Sequence, residues 1–275
     1  MKKHLSILFP QWQGGGILAT YQGAQSLKKN YLAGAAYIEL PVEMDENLTV
    51  KNKIVGYDPI IRQLTSLKET IDREKPETLF VMGGGDDVDI LPPAYCNNLA
   101  GGDMTVVFFD AHGDLNSPET SPSGNLHGMP LRSMLGDTDP AILDLMDSTL
   151  KPEQIVMVGT RDCDPPEAEY IREHGLVSLK PDAVNKDPQV VIDELKKKGK
   201  QKVFIHVDID VIDPKEFHYQ PVPAPDGLQE NAFIEALNKI EKEFTIVGMC
   251  ILGYTEMPEG QDPALAKLVK MGLGL

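Results

Sequence analysis

Met104-Thr105-Val106-Val107-Phe108-Phe109-Asp110-Ala111-His112-Gly113-Asp114-Leu115-Asn116 is the stretch on which the fold turns. Six residues, five of them apolar, run without alternation, as in a strand buried on both faces of a parallel sheet. The run ends abruptly in acids and a histidine spaced two apart. Residues two apart in an extended chain project to the same side, so Asp110, His112 and Asp114 can converge, with Asn116 a fourth candidate. The pattern recurs at Val203-Phe204-Ile205-His206-Val207-Asp208-Ile209-Asp210, where an apolar run again closes in two alternate aspartates.

Working outward, similar runs predict strands at 5–10, 36–41, 78–82, 104–110, 154–159, 176–179, 202–208 and 244–252. Between them, helical periodicity predicts helices at 58–74, 165–173, 188–198 and 229–243. Prolines stand near several of their starts, and Gly199 sits where a C-capping glycine would. Strand, loop and helix repeated along one chain argue for a three-layer α/β/α fold with a central, mostly parallel sheet of eight strands, in a single domain over 1–275. The polar clusters all follow strands: Asp86-Asp87, the Asp110 stretch, Asp162-Cys163-Asp164, Asp208-Ile209-Asp210 and Glu256. They therefore lie at the carboxyl edge of the sheet, where such folds place ligands.

Composition narrows the function classes. The 275 residues are 41% apolar, enough for a large core, and carry a formal charge of −16, which argues against nucleic acid or an anionic membrane as partner. Cys96, Cys163 and Cys250 have neither close pairing nor metal-type spacing and read as reduced thiols, so a cytoplasmic location is expected. The start, Met1-Lys2-Lys3 and onward, is basic, but its apolar run is too short for a signal peptide, and no stretch approaches the ~20 apolar residues of a membrane span. Four carboxylates and a histidine exceed what one ion needs. They suit a pair of divalent ions such as Mn²⁺, which prefer oxygen and imidazole to thiolate.

The Asp110–Asn116 stretch followed by Ser121-Pro122-Ser123-Gly124-Asn125-Leu126-His127-Gly128-Met129-Pro130 resembles the signature region of the arginase (ureohydrolase) family. Val207-Asp208-Ile209-Asp210-Val211-Ile212-Asp213-Pro214 is similar to its second metal-binding signature. Gly159-Thr160-Arg161-Asp162-Cys163-Asp164-Pro165 and Tyr254-Thr255-Glu256 resemble two further stretches, all in the family's order. The resemblance implies an arginase-like α/β fold and a binuclear manganese centre, two Mn²⁺ per chain. Asp110 and Asp208 would bridge the ions, His112 and Asp210 would complete one, and Asp114 would serve the other. It implies His127 as proton shuttle, Glu256 as partner of a guanidinium, and Asn116, Ser123, Asn125 and Asp164 as holders of a substrate's amino-acid end. It further implies hydrolysis of a guanidino C–N bond with release of urea, with arginine giving ornithine as the leading expectation, and a homo-oligomer, trimer or hexamer. The alternatives are a related amidinohydrolase (agmatinase, guanidinobutyrase or formimidoylglutamase type) and a catalytically weak relative with a binding or regulatory role.

Three positions depart from the family pattern. Asp87 is expected where the family has the histidine of the first metal, as an oxygen ligand in its place. His206 stands where a small serine is usual, either bonded within the core, donating to a ligand carboxylate, or compensating for the lost histidine. The loop 219–227, Tyr-Gln-Pro-Val-Pro-Ala-Pro-Asp-Gly, lacks the family's Gly/Thr run. Gly14-Gly15-Gly16 reads equally as a pocket loop or a flexible connection.

Overall fold

The computed structural model describes residues 3–275; Met1 and Lys2, part of the basic start, lie outside the described residues. Its strands are β1 (His4–Phe9), β2 (Ile38–Glu39), β3 (Val50–Lys51), β4 (Ile54–Val55), β5 (Thr78–Gly83), β6 (Met104–Phe109), β7 (Ile155–Val158), β8 (Val177–Leu179), β9 (Lys202–Asp208) and β10 (Thr245–Leu252). Eight of them form one sheet in the order β2-β1-β5-β10-β9-β6-β7-β8, every pair parallel, while β3 and β4 make a separate antiparallel hairpin. The eight expected strands are thus the eight of the sheet. The run 36–41 shortens to two paired residues: it lies at the edge, bonded to β1 alone, and Pro41 has no N–H for a ladder.

The continuous apolar runs are explained by the two faces they serve. Met82, Val107, Phe109, Ile205 and Val207 point into one core, against the helices Gln189–Lys198, Glu230–Glu243 and Pro263–Leu273. Leu79, Val81, Val106, Phe108 and Phe204 point into the other, against Tyr57–Glu74 and Leu91–Leu99. Each such side chain contributes roughly 1.5–3 kcal/mol by leaving water. The helices expected at 58–74, 165–173, 188–198 and 229–243 stand at Tyr57–Glu74, Pro165–His174, Gln189–Lys198 and Glu230–Glu243, and Gly199 caps its helix at φ 69°. The helix Leu18–Tyr31 was not expected. It buries Thr20, Gly23, Ala24, Ser26 and Leu27, mostly small or polar residues, and so carries no apolar stripe.

Strand order places the ligand edge. The chain leaves β5 for β6, skipping the space that β9 and β10 later fill, so the carboxyl ends of β5, β10, β9 and β6 lie side by side. Register does the fine positioning. Phe108 pairs with His206 and Phe109 with Val207, so Asp110 falls beside Asp208 at the end of the ladder. No helix among the described residues is long and apolar enough to cross a membrane.

Candidate metal centre

The floor of the pocket is built by β6 and β9 and by the turns that follow them. Asp110 Oδ1 accepts the backbone N–H of His112 (2.7 Å), Asp208 Oδ1 accepts that of Asp210 (2.8 Å), and Asp210 Oδ1 accepts that of Ala111 (3.1 Å). These bonds tie the two strand ends together and aim the carboxylates inward. His112 Nδ1 lies 3.0 Å from Asp210 Oδ2 and 3.6 Å from Asp110 Oδ1. Asp114 has a left-handed backbone, φ 53°, a strain that aspartate tolerates better than most residues and that is common at functional sites. All four aspartates are buried. The five ligand candidates of the two motifs therefore meet at one place.

Asp87 does not join them, and the expectation for it needs correction. Asp86–Ile90 is a turn of 3₁₀-helix, in which neighbours point about a third of a turn apart and residues three apart align. Asp86 faces the pocket, where the charges of Asp110 and Asp210 bear on it. Asp89, three residues on, shares its side and bonds His206. Asp87 turns away toward the N-terminal loop: a Cβ on Gly14 would stand 1.9 Å from its carboxylate. His127 N–H donates to Gly14 O (3.2 Å), and a Cβ on Gly15 would stand 3.3 Å from the His127 ring, so Gly14-Gly15-Gly16 backs a pocket-lining residue.

The electrostatics test whether these residues suit divalent ions. Burial, reinforced by the charge of Asp110, pushes Asp86 up to about 8, and burial with neighbouring carboxylates drives Asp114 and Asp208 well above the usual range. Burial alone would lower His112, yet Asp110 and Asp210 override it and push it up to about 12. Asp110 resists burial because His112 and His206 hold it below its ordinary value. Asp86 Oδ1, Asp110 Oδ2 and Asp114 Oδ2 are buried without any hydrogen-bond partner. Buried oxygens are almost always bonded, so a group of orphans at one spot calls for cations. The donor set, carboxylate oxygens with imidazole, fits a divalent cation.

Around this floor runs a polar collar. Asn116 Nδ2 donates to Asp164 Oδ2 (2.9 Å) and its Oδ1 accepts from Thr120 (3.0 Å). Ser123 lines the mouth and its Oγ accepts the N–H of Asn125 (3.1 Å); the Asn125 amide itself donates to Gly15 O (3.2 Å), joining the collar to the N-terminal loop rather than facing the cavity. Glu167, which sequence reasoning missed, lines the pocket and accepts from Leu115 N–H (2.9 Å) and Asp164 N–H (2.8 Å). Its signal was present: Asp164-Pro165-Pro166-Glu167 has capping-box spacing at a helix start. His127 also lines the cavity, and burial, aided by the His112 charge, pushes it down to about 4. Pro221 and Val222 supply an apolar wall. That proline-rich loop is held by Arg161, whose guanidinium donates to the carbonyls of Ala224 (2.6 Å), Asp210 (2.8 Å) and Pro225 (2.9 Å).

Glu256 is the second correction. It is exposed and borders a groove beside the helix Leu18–Tyr31, outside the pocket. The residue of this segment nearest the floor is Gly253, where a Cβ would stand 2.2 Å from Asp208 Oδ1, leaving no room for a side chain. Chain direction after β10, not strand-end position alone, decides which residue meets the pocket.

A family model described as the arginase family matches residues 19–253. Among curated relatives, an arginase of Staphylococcus aureus (strain MRSA252) is 33% identical over 186 residues, 64% of this chain and 60% of that protein. An arginase of Bacillus caldovelox is 36% identical over 131 residues, 46% of this chain and 44% of its own length. The alignments thus span about three-fifths or less of these relatives' length. Among solved structures, Entamoeba histolytica arginase in complex with L-ornithine superposes with TM-score 0.84 at 22% identity, covering 100% of this chain and 99% of that one. Formimidoylglutamase from Bacillus subtilis gives 0.68 at 17% identity, over 98% and 84%. At such identities the structural likeness speaks for the fold.

Proposed function

The chain belongs to the arginase family, and from that premise we propose that it is a two-metal ureohydrolase acting on arginine or a close guanidino amino acid. The observation that carries the reading is the group of unpartnered carboxylate oxygens at the bottom of a cavity of about 170 Å³. Asp86, Asp110, His112, Asp114, Asp208 and Asp210 would hold two Mn²⁺ ions. Ions bound there supply Lewis acidity and bring the pKa of water towards neutrality, which a resonance-stabilised guanidinium needs in a nucleophile. The remaining work falls to the chain. Asn116, Ser123 and Asp164 at the collar orient the amino-acid end of the substrate, and the anionic floor attracts its cationic end. His127, which lines the cavity, would take up a proton and pass it to the departing amine. Water adds its oxygen to the guanidino carbon, the C–N bond to the side chain breaks, and urea and ornithine leave. Pro221 and Val222 limit water at the mouth.

The reading includes a cytoplasmic location, supported by three free cysteines, and a homo-oligomer as the family resemblance implies. A second reading, a related amidinohydrolase with another linear amidine as substrate, is favoured by one observation: Glu256 stands outside the pocket, so the guanidinium lacks the partner expected for it. Product release from Mn²⁺-loaded protein tests both, with arginine, agmatine, guanidinobutyrate and formimidoylglutamate side by side. Urea from arginine alone is the expected result. Turnover of another compound would transfer the reading to that substrate, and silence on all four in folded, metal-loaded protein would replace it with a binding or regulatory role.

A further inference from the structure

His206 sits two residues before Asp208 on β9, so both side chains leave the same face of the sheet. Its ring lies flat on Phe108, centroids 3.7 Å apart and planes 1° from parallel, and is fully buried. Nδ1 is 2.6 Å from Asp89 Oδ2. A carboxylate accepts, so Nδ1 carries the hydrogen, and a cation that displaces any proton on Nε2 would meet the lone pair there. Nε2 has no hydrogen-bond partner; it lies 3.4 Å from Asp110 Oδ2, which has none either. Donor atoms of His206, Asp110 and Asp114 all fall within 4.8 Å of one another, as do those of Asp110, His112 and Asp210. Two trios, each with one imidazole, therefore share Asp110.

Resting on the metal-dependent reading, we infer that His206 is itself a metal ligand. With Asp110 and Asp114 it holds the deeper ion through Nε2, while Asp110, His112 and Asp210 hold the other. Asp89 is the positioning residue: its bond to Nδ1 fixes tautomer and ring orientation, the usual service of a carboxylate behind a metal-bound histidine. The stacking on Phe108 removes the remaining freedom of the ring. Asp86 then adds an oxygen to a site that already has its nitrogen, so a carboxylate at the end of β5 does not leave the deeper ion with oxygen ligands alone. The competing arrangement is a protonated His206 that neutralises Asp110 in place of an ion, and it predicts a different stoichiometry.

Mn²⁺ titration of chelator-stripped full-length protein, followed by calorimetry, decides between them. Wild-type protein is expected to take two ions. His206→Ala should keep one, with the wild-type affinity of the His112 site, which also reports that the variant is folded. Asp89→Asn, which leaves the ring in place, should keep two and weaken one of them about 10–100-fold. In ¹⁵N-histidine protein carrying two ions, electron spin-echo modulation should show two imidazole nitrogens. Two ions bound by His206→Ala with unchanged affinities, or a single imidazole nitrogen in the wild type, would overturn the ligand assignment and leave the metal-dependent reading standing. A wild type that takes one ion would favour the protonated His206, and one that takes none at millimolar Mn²⁺ would sink both.

Discussion

At the collar of the pocket, Asn116 donates to Asp164 and accepts from Thr120, Asn125 donates to Gly15, and Glu167 receives two backbone N–H groups. At the floor beneath it, Asp86, Asp110 and Asp114 each bury an oxygen that nothing meets. The collar is finished by the chain itself and stands preorganised. The floor is left in deficit, with carboxylates whose mutual repulsion the protein tolerates because the core and backbone bonds hold them. A region that completes itself gives shape and selectivity; a region that does not reserves its binding energy for ions. The departures from the family pattern fall at both levels: His206 lies behind the floor, and the proline-rich loop 219–227 stands at the mouth.

The sharpest break of that contrast is Asp110→Asn. Both trios lose their shared carboxylate, so Mn²⁺ binding and turnover are expected to fall together by about three orders of magnitude, the value of several kcal/mol of charge stabilisation. Near-normal turnover with two ions bound would mean that the floor is not the centre. Next comes pH. In chelated protein, burial holds Asp86 up at about 8 and raises Asp114 and Asp208, so the folded state keeps protons that the unfolded chain has released above about pH 4. Stability from these groups is therefore present below about pH 4 and drains as pH rises through about 8. His112 and His206, raised to about 12 and about 10, act in the same direction above about pH 6.5, while His127, lowered to about 4, opposes it only between about 4 and 6.5. The melting temperature of chelated protein should drop by roughly 5–10 °C between pH 6.5 and 8.5, and saturating Mn²⁺ should restore it most at the alkaline end. A flat profile would show that the floor carboxylates are already satisfied.

Smaller effects belong to the collar. Ser123→Ala removes one hydrogen-bonding group at the mouth and is expected to raise KM for arginine roughly 3–10-fold with little change in kcat, the worth of one such bond. Competitive inhibition by agmatine, which lacks the carboxylate, should show no such weakening. A fall in kcat for arginine would instead tie the collar to the chemistry. The least effect is expected of Glu256→Gln: turnover within about twofold of the unaltered protein, since the side chain is exposed outside the pocket. A large loss there would mean that the segment after β10 folds inward on substrate binding.

Much of this was legible beforehand for a local reason. The buried runs at β5, β6, β9 and β10 announce themselves because both faces of a parallel sheet demand apolar side chains, and Asp110, His112, Asp208 and Asp210 follow from period-two alternation at strand ends. Helix Leu18–Tyr31 was not legible, since its buried face is small and polar. Nor was Glu167 recognised as a pocket residue, although its capping-box spacing stood in the sequence.

The sequence by itself determined the parallel sheet, the edge on which ligands bind, and a mixed carboxylate–imidazole donor set, because each depends on neighbours along the chain. Only the tertiary structure decided that Asp86 rather than Asp87 faces the floor, that Glu256 points out, and that His206 is pinned by Asp89 against Phe108. Those outcomes depend on how a 3₁₀ turn, a strand register and an irregular exit from β10 are rotated by distant packing. A side chain's direction at the end of an element is set by what the element leans on, and that information is spread over residues far apart in the chain.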